Sequence, residues 1–169
     1  MATHAYAYTQ GYARTHSITF LSDNLANTLR DVIREYGISP DRLVQNWPTT
    51  ERGIKAWLET GHLKSVVVEF YKPGSSVVSA RWDFPTGYEG SGADDDMWRD
   101  KAYLRQLIAK SARPTLDCVY RILLSVKHGA PDVPGFSDSP FLSTGSLAAR
   151  PAGTVIATRH MTAAAVYWR

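Results

Sequence analysis

Leu21, Leu25, Leu29, Val32, Ile33 and Tyr36 recur three or four residues apart, the spacing that lines one face of an α-helix. Ser22 or Asp23 is placed to cap its start, and Gly37 stands where a left-handed residue ends it. Upstream, Thr15–Leu21 reads as a short strand. Residues 1–14, rich in Tyr and Ala without a helical period, read as a mobile, extended arm. Ser39-Pro40-Asp41 predicts a short helix to about Trp47, and Pro48-Thr49-Thr50 introduces another, with Ile54, Trp57 and Leu58 on one face and Gly61 as its stop.

The period then changes from 3.6 to 2. Val66, Val68 and Phe70 alternate with Val67, Glu69 and Tyr71; Pro73-Gly74-Ser75 makes a turn; Val78, Ala80, Trp82 and Phe84 then alternate with Val77, Ser79, Arg81 and Asp83. This is a hairpin with one well-filled face. After the loop Pro85–Gly92, Asp94-Asp95-Asp96 is expected to open a helix at the positive end of its dipole. Met97, Ala102, Leu104, Leu107, Ile108 and Ser111 form its inward stripe, Lys110 and Arg113 lie at its end, and Pro114 stops it. Cys118, Tyr120, Ile122, Leu124 and Val126 alternate with Val119, Arg121, Leu123, Ser125 and Lys127 as a third strand. The expected class is α+β: three helices on one face of a mainly antiparallel three-stranded sheet.

The tail, His128–Arg169, has no clear helix and is rich in Gly, Pro, Ser, Thr and Ala. It nevertheless closes with two strand-like runs, Thr154–His160 and Thr162–Arg169, the second ending in Val166-Tyr167-Trp168-Arg169. Burying an aromatic stabilises by a few kcal/mol, on the order of the values for single large side chains, so such an end is expected to be docked. A three-stranded sheet has two edges to manage, and these runs are the segments left to cover one.

Composition narrows the function by exclusion. The chain has 169 residues, 44% of them apolar and 21% charged, as expected of one globular domain. No apolar run reaches the ~20 residues that span a bilayer, and the N-terminus lacks a secretory pattern. With Cys118 as the single cysteine, a cytoplasmic location is the default expectation. The net charge of +3 comes from scattered Lys and Arg, whereas nucleic-acid binders gather theirs on one stripe. Gly87-Tyr88-Glu89-Gly90-Ser91-Gly92 lacks the Lys-Ser/Thr of a phosphate loop. Consecutive helical side chains point about 100° apart, so the three aspartates cannot share one ion. No two of His4, His16, His62, His128 and His160 have helical metal-pair spacing. Ser143-Thr144-Gly145-Ser146 lacks the strand–turn–helix setting of a nucleophile elbow. No catalytic residue, metal or cofactor is nominated, and the chain is read as a non-enzyme.

Several segments together resemble bacterial HORMA domain proteins. They are Thr15-His16-Ser17-Ile18-Thr19-Phe20-Leu21-Ser22-Asp23-Asn24; Arg52-Gly53-Ile54-Lys55-Ala56-Trp57-Leu58-Glu59-Thr60-Gly61; the Arg81-Trp82-Asp83 strand with its Gly-rich loop; Ala130-Pro131-Asp132-Val133-Pro134-Gly135; and the terminal Tyr167-Trp168-Arg169. Their joint order, over nearly the whole chain after residue 14, carries the resemblance. It implies a single HORMA domain over 15–169, with a core to residue 127 and a C-terminal "safety belt" over 128–169. It also implies a role in CBASS, an antiphage system built on a cGAS/DncV-like nucleotidyltransferase (CD-NTase). In such proteins the closed belt wraps a closure-motif peptide that adds as a strand to the core sheet. The closed form then activates synthesis of a cyclic oligonucleotide messenger, and a AAA+ ATPase engages the N-terminus and resets the domain.

Mapped onto this chain, the peptide would lie on the edge strand Cys118, Val119, Tyr120, Arg121, Ile122, Leu123, Leu124, Ser125 and Val126. Val166, Tyr167 and Trp168 would anchor the belt, and the arm with Tyr6, Tyr8, Tyr12 and Arg14 would be the handle for the ATPase. A second HORMA protein is a further partner the resemblance allows. The belt ends at Tyr167-Trp168-Arg169, so the chain is expected to receive a peptide rather than donate its own C-terminus. The competing reading is a nucleic-acid-binding module using the basic surface and the Tyr-rich arm.

Overall fold

The computed structural model describes residues 2–89 and 97–169, with side chains from residue 14 onward. The first apolar stripe is longer than its strongest residues suggest. Ser17, Ile18, Leu21, Ser22, Leu25, Ala26, Thr28, Leu29, Val32, Ile33 and Tyr36 are all buried at helical spacing, and helix α1 runs unbroken over Ala2–Glu35. The strand expected at Thr15–Leu21 is therefore helix, and Ser22, expected as a cap, is buried inside it. The backbone of the expected extended arm forms the first turns of α1 as well. An Ala-rich, Pro-free segment ahead of a helix has little reason to stop helical propagation, with Gly11 as its main weak point. Gly37 does end the helix: at φ 76° its N–H reaches Arg34 O at 2.8 Å while Ile38 N–H reaches Ile33 O at 3.1 Å, the paired bonds of a Schellman stop.

The two helices expected on either side of Pro48 are one, α2, Asp41–Glu59, with Pro48 inside it. Burial of Leu43, Gly53, Ile54, Trp57 and Leu58 along a single face offsets the interior proline, which alone disfavours a helix by about 3 kcal/mol. Helix α3, Lys101–Lys110, begins later than expected: Asp100 is its cap and accepts from Tyr103 N–H. Residues Asp94–Asp96, assigned that role by sequence, lie outside the described residues. Leu104, Leu107 and Ile108 are its buried face, whereas Ala102 is exposed.

The sheet corrects the expectation of three strands. Strands β1 (Leu63–Tyr71), β2 (Ala80–Gly87), β3 (Trp98–Arg99), β4 (Val119–Val126), β5 (Ala149–Ala157) and β6 (Thr162–Trp168) form one sheet of six among the described residues, in the order β3-β5-β6-β2-β1-β4. Every ladder is antiparallel. The hairpin and the third strand are present, but the hairpin's second strand is displaced: it begins at Ala80 instead of Val77 and continues through Pro85–Gly87, expected as loop; the additional strands come from the tail and from Trp98-Arg99. Register sets two faces. Val68 stands opposite Trp82 and Ile122, and Trp82 opposite Tyr167, and this row packs with Val66, Phe70, Phe84, Tyr120 and the helices in the main core. The intervening residues, Val67, Glu69, Arg81, Asp83, Arg121, Val166 and Trp168, point to the second face.

One buried polar hub ties the helices to the sheet. Tyr36 Oη accepts from Trp82 Nε1 at 2.8 Å, meets Ser111 Oγ at 2.5 Å and donates to Ala112 O at 3.1 Å. Burial raises the Tyr36 pKa above the usual tyrosine value, against the smaller lowering effects of its bonds to Ser111 and Trp82 and of Arg113. It therefore stays neutral and can both accept and donate.

Candidate functional site

Strand β4 pairs with β1 on one side and ends the strand order on the other. An edge strand has half of its backbone N–H and C=O groups facing outward. Here the outward side opens into a groove of about 1010 Å³, walled by Arg121–Lys127 on one side and by a returning strap of chain, residues 129–139 with Phe141, on the other. The strap therefore stands off from β4 at the width of the groove instead of pairing with it.

Two fastenings hold the strap there. At its near end Trp57 Nε1 donates to Pro131 O at 2.7 Å and Arg52 Nη2 donates to Pro134 O at 2.5 Å. Phe136 packs edge-on against Trp57, ring centroids 5.1 Å apart. Gly53 makes that approach possible, since a Cβ there would lie 2.5 Å from the Phe136 ring and 3.1 Å from Leu124 Cδ1. At the far end Glu69, fully buried on the second face of β1, accepts from Arg121 Nε at 2.7 Å and, through its other oxygen, from Leu142 N–H at 2.9 Å. Arg121 donates onward to Ser139 Oγ at 3.1 Å and Pro140 O at 2.6 Å. The chain then makes a parallel bridge between Ser143 and Val77 and crosses to β5.

The C-terminal aromatics are docked as expected, on the opposite side of the sheet from β4. Tyr167 meets Trp82 at 5.9 Å, and Trp168 Nε1 donates to Asp83 Oδ1 at 3.1 Å. Arg81, paired with Asp83 at 2.7 Å, lies over both the Phe141 ring at 4.5 Å and the Trp168 ring at 4.9 Å. The strap's far end and the C-terminus thus share one cation. Val166 stands opposite Asp83 in the β2–β6 register.

Of the residues singled out by sequence, Val119–Val126 form β4. Cys118 precedes the strand and is buried. Tyr120 Oη accepts from Leu43 N–H at 3.1 Å and donates to Ser39 O at 3.0 Å, and burial keeps its pKa above the usual tyrosine value. Arg14, assigned to a free handle, is tied down: its Nη2 donates to Glu59 O at 3.0 Å, at the negative end of α2. The side chains of Tyr6, Tyr8 and Tyr12 lie outside the described residues. Sequence reasoning gave no site role to Glu69, Gly53, Phe136 or Asp83. Glu69 alternates with core positions and so reads as a solvated residue; the one available signal was the opposite charge of Arg121 on a neighbouring strand. Among the described residues no cluster of three or more His, Cys, Asp or Glu could hold a metal ion, and no helix is long and apolar enough to cross a membrane.

The fold is similar to that of several solved structures. A chain of the mitotic checkpoint complex superposes with a TM-score of 0.68 at 10% identity, covering 90% of this chain and 97% of the other. A chain of the E. coli MS115-1 HORMA:CdnC:Trip13 complex gives 0.59 at 16% identity, with coverage of 93% and 89%. C. elegans HTP-2 bound to the HIM-3 closure motif gives 0.50 at 14% identity, with coverage of 73% and 68%. At such identities the likeness is one of fold. The family is established by sequence: the model described as Bacterial HORMA domain 2 matches residues 6–169, and the chain belongs to that family. No curated protein matches it.

The family gives the segments of the sequence resemblance a physical meaning. Arg52, Gly53 and Trp57 meet the segment Ala130–Gly135 and its neighbour Phe136 at the near fastening. Arg81-Trp82-Asp83 meets Tyr167-Trp168 beside the far one.

Proposed function

We propose that this chain is a non-enzymatic signalling adaptor that takes a closure-motif peptide as an added strand on β4. The tail from His128 to Arg169 is its safety belt, held in the closed arrangement with the strap as its fastened first part. The observation that carries this reading is the unpaired outer edge of β4 facing a groove roofed by a doubly fastened strap. A peptide strand there would satisfy outward backbone groups of β4 and set alternate side chains toward α2 and toward the second face. The path of the tail supports the same state, because β5 and β6 extend the sheet from β2 and leave β4 uncovered.

In the same reading the peptide-bound form binds and activates a cGAS/DncV-like nucleotidyltransferase in antiphage defence, and a AAA+ remodelling ATPase resets it by acting on the N-terminal turns of α1. Support comes from the partners of a structural neighbour: the E. coli MS115-1 complex joins a HORMA protein to CdnC and Trip13. The test is reconstitution with a nucleotidyltransferase and a AAA+ ATPase encoded beside this chain. Messenger synthesis should require this protein and a peptide that protects β4 amides from hydrogen exchange, and ATPase plus ATP should suppress it. Activation that persists when Ile122 and Leu124 are replaced by Pro, which removes backbone donors from β4 and breaks the strand, would refute the edge-strand model.

A further inference from the structure

The cleft between α2 and β4 is not equally available along its length. At Gly53 and Leu124 the strap's own Phe136 fills it. Toward the start of α2 it opens again as a separate cavity of about 190 Å³, between Arg42, Leu43, Asn46 and Thr50 of the helix and Tyr120 and Ile122 of the strand. Arg121 and Ile122 line both this cavity and the main groove, so the two adjoin along the strand edge. A strand laid on β4 sends every second side chain toward the helices, successive ones about 7 Å apart. One such side chain falls at this cavity, and the next meets Phe136.

The walls state what would fit. Leu43 is buried and, with half-buried Ile122, supplies an apolar floor. The Thr50 hydroxyl is already donated to Asn46 O at 3.2 Å, and the Tyr120 hydroxyl is committed at both its donor and acceptor sides. The Arg121 charge is matched by Glu69 at 2.7 Å. That leaves the exposed Arg42 guanidinium and the Asn46 amide as the groups able to donate, with the positive end of α2 behind them. Asp41 follows Pro40 at that helix start, close enough to act on Tyr120 electrostatically, but it is not part of the cavity wall.

The geometry assigns this cavity as a specificity pocket for one glutamate of the bound peptide, its methylenes on Leu43 and Ile122 and its carboxylate on Arg42 and Asn46. The assignment rests on the reading of β4 as a peptide-binding edge. It makes Arg42 a specificity-determining residue, because an opposite charge in a partly desolvated site selects against Lys and Arg as well as for Glu.

The experiment is selection from a random linear peptide library displayed on phage, present as the full chain is diluted out of denaturant so that the strap closes on what it binds. Enriched sequences should place Glu at one position, with apolar residues at the alternate positions. In fluorescence anisotropy, a synthetic peptide of the enriched sequence should bind about five- to tenfold more tightly than its Glu-to-Gln counterpart. Selection on R42E should replace that Glu by Lys or Arg, and N46D should weaken the wild-type choice. Enriched peptides with no acidic preference, or an R42E variant that selects the same sequences, would overturn the pocket while leaving the edge intact. If no sequence is enriched by the wild-type chain, the edge reading falls and the pocket falls with it.

Discussion

Glu69 is the residue whose replacement most directly probes the strap. Its carboxylate is fully buried and holds two segments together: Arg121 on β4 and the Leu142 amide at the strap's far end. Removing one partner of a buried ion pair typically destabilises by about 3–5 kcal/mol, because the other charge is left uncompensated. The Arg121 side chain retains 26% exposure, so it can recover some hydration, and Glu69→Ala is expected at the lower end, about 3 kcal/mol. Glu69→Gln keeps one acceptor and should lose about 1–2 kcal/mol. The double replacement Glu69→Met with Arg121→Met removes both charges and should recover most of that loss. It should not recover the strap, because nothing in it accepts from Leu142 or donates to Pro140. Urea unfolding measures the first quantity and hydrogen exchange of the amides of residues 139–143 the second. If Glu69→Ala loses less than about 1 kcal/mol, or if the double variant protects Leu142 as well as the wild type does, the carboxylate is not the strap's clasp.

The other fastenings and both termini give further tests. Gly53→Ala adds a Cβ into the Phe136 ring; overall stability should change by less than about 1 kcal/mol, since Ala favours the helix, but chymotryptic cleavage at Phe136 should accelerate. Trp168→Ala removes the bond to Asp83 and the contact with Arg81, and a thermal melt should show a loss of about 1–2 kcal/mol together with weaker nucleotidyltransferase binding. His160 has its pKa lowered below the usual histidine value, first by burial and then by Arg159 and Arg14. The unfolded chain therefore takes up that proton first, so stability should fall as pH drops below about 6.5, and His160→Gln should flatten that slope in pH-dependent unfolding. Deleting residues 2–12 keeps Arg14 and its bond to Glu59; peptide binding should survive while ATPase-driven opening slows, and equal loss of both would make these turns part of the binding fold.

The elements that could be read from the chain were those whose periodicity is enforced by a one-sided core. Leu21–Tyr36 buries every third to fourth residue, and Val66–Phe70, Ala80–Phe84 and Tyr120–Val126 turn alternate residues into or against the main core. The stretch of α1 from Thr15 to Ser22 was missed because its stripe of Ser17, Ile18 and Ser22 includes small polar residues that only become core against tertiary neighbours. The docking of Tyr167-Trp168 was legible from composition, yet their partners Trp82 and Asp83 lie 85 residues away in the case of Trp168, beyond any local pattern. Least legible was the far fastening, since a buried carboxylate in an alternating strand carries the same letter as a solvated one.

The route of the tail has one more consequence. The chain leaves the sheet at β4, crosses the second face, and rejoins it through β5 and β6 on the far side of β2. A peptide on β4 would therefore be threaded through a loop rather than resting in an open trough. Sideways escape is blocked by covalent backbone, and release requires either reptation of the peptide along its own axis or undoing of the Trp57–Phe136 and Glu69–Leu142 contacts. Along the second route, residence time is governed by the unfolding barrier of the loop and is decoupled from the strength of the peptide's own contacts. A peptide of modest affinity held in this way would persist until work is done on the fold.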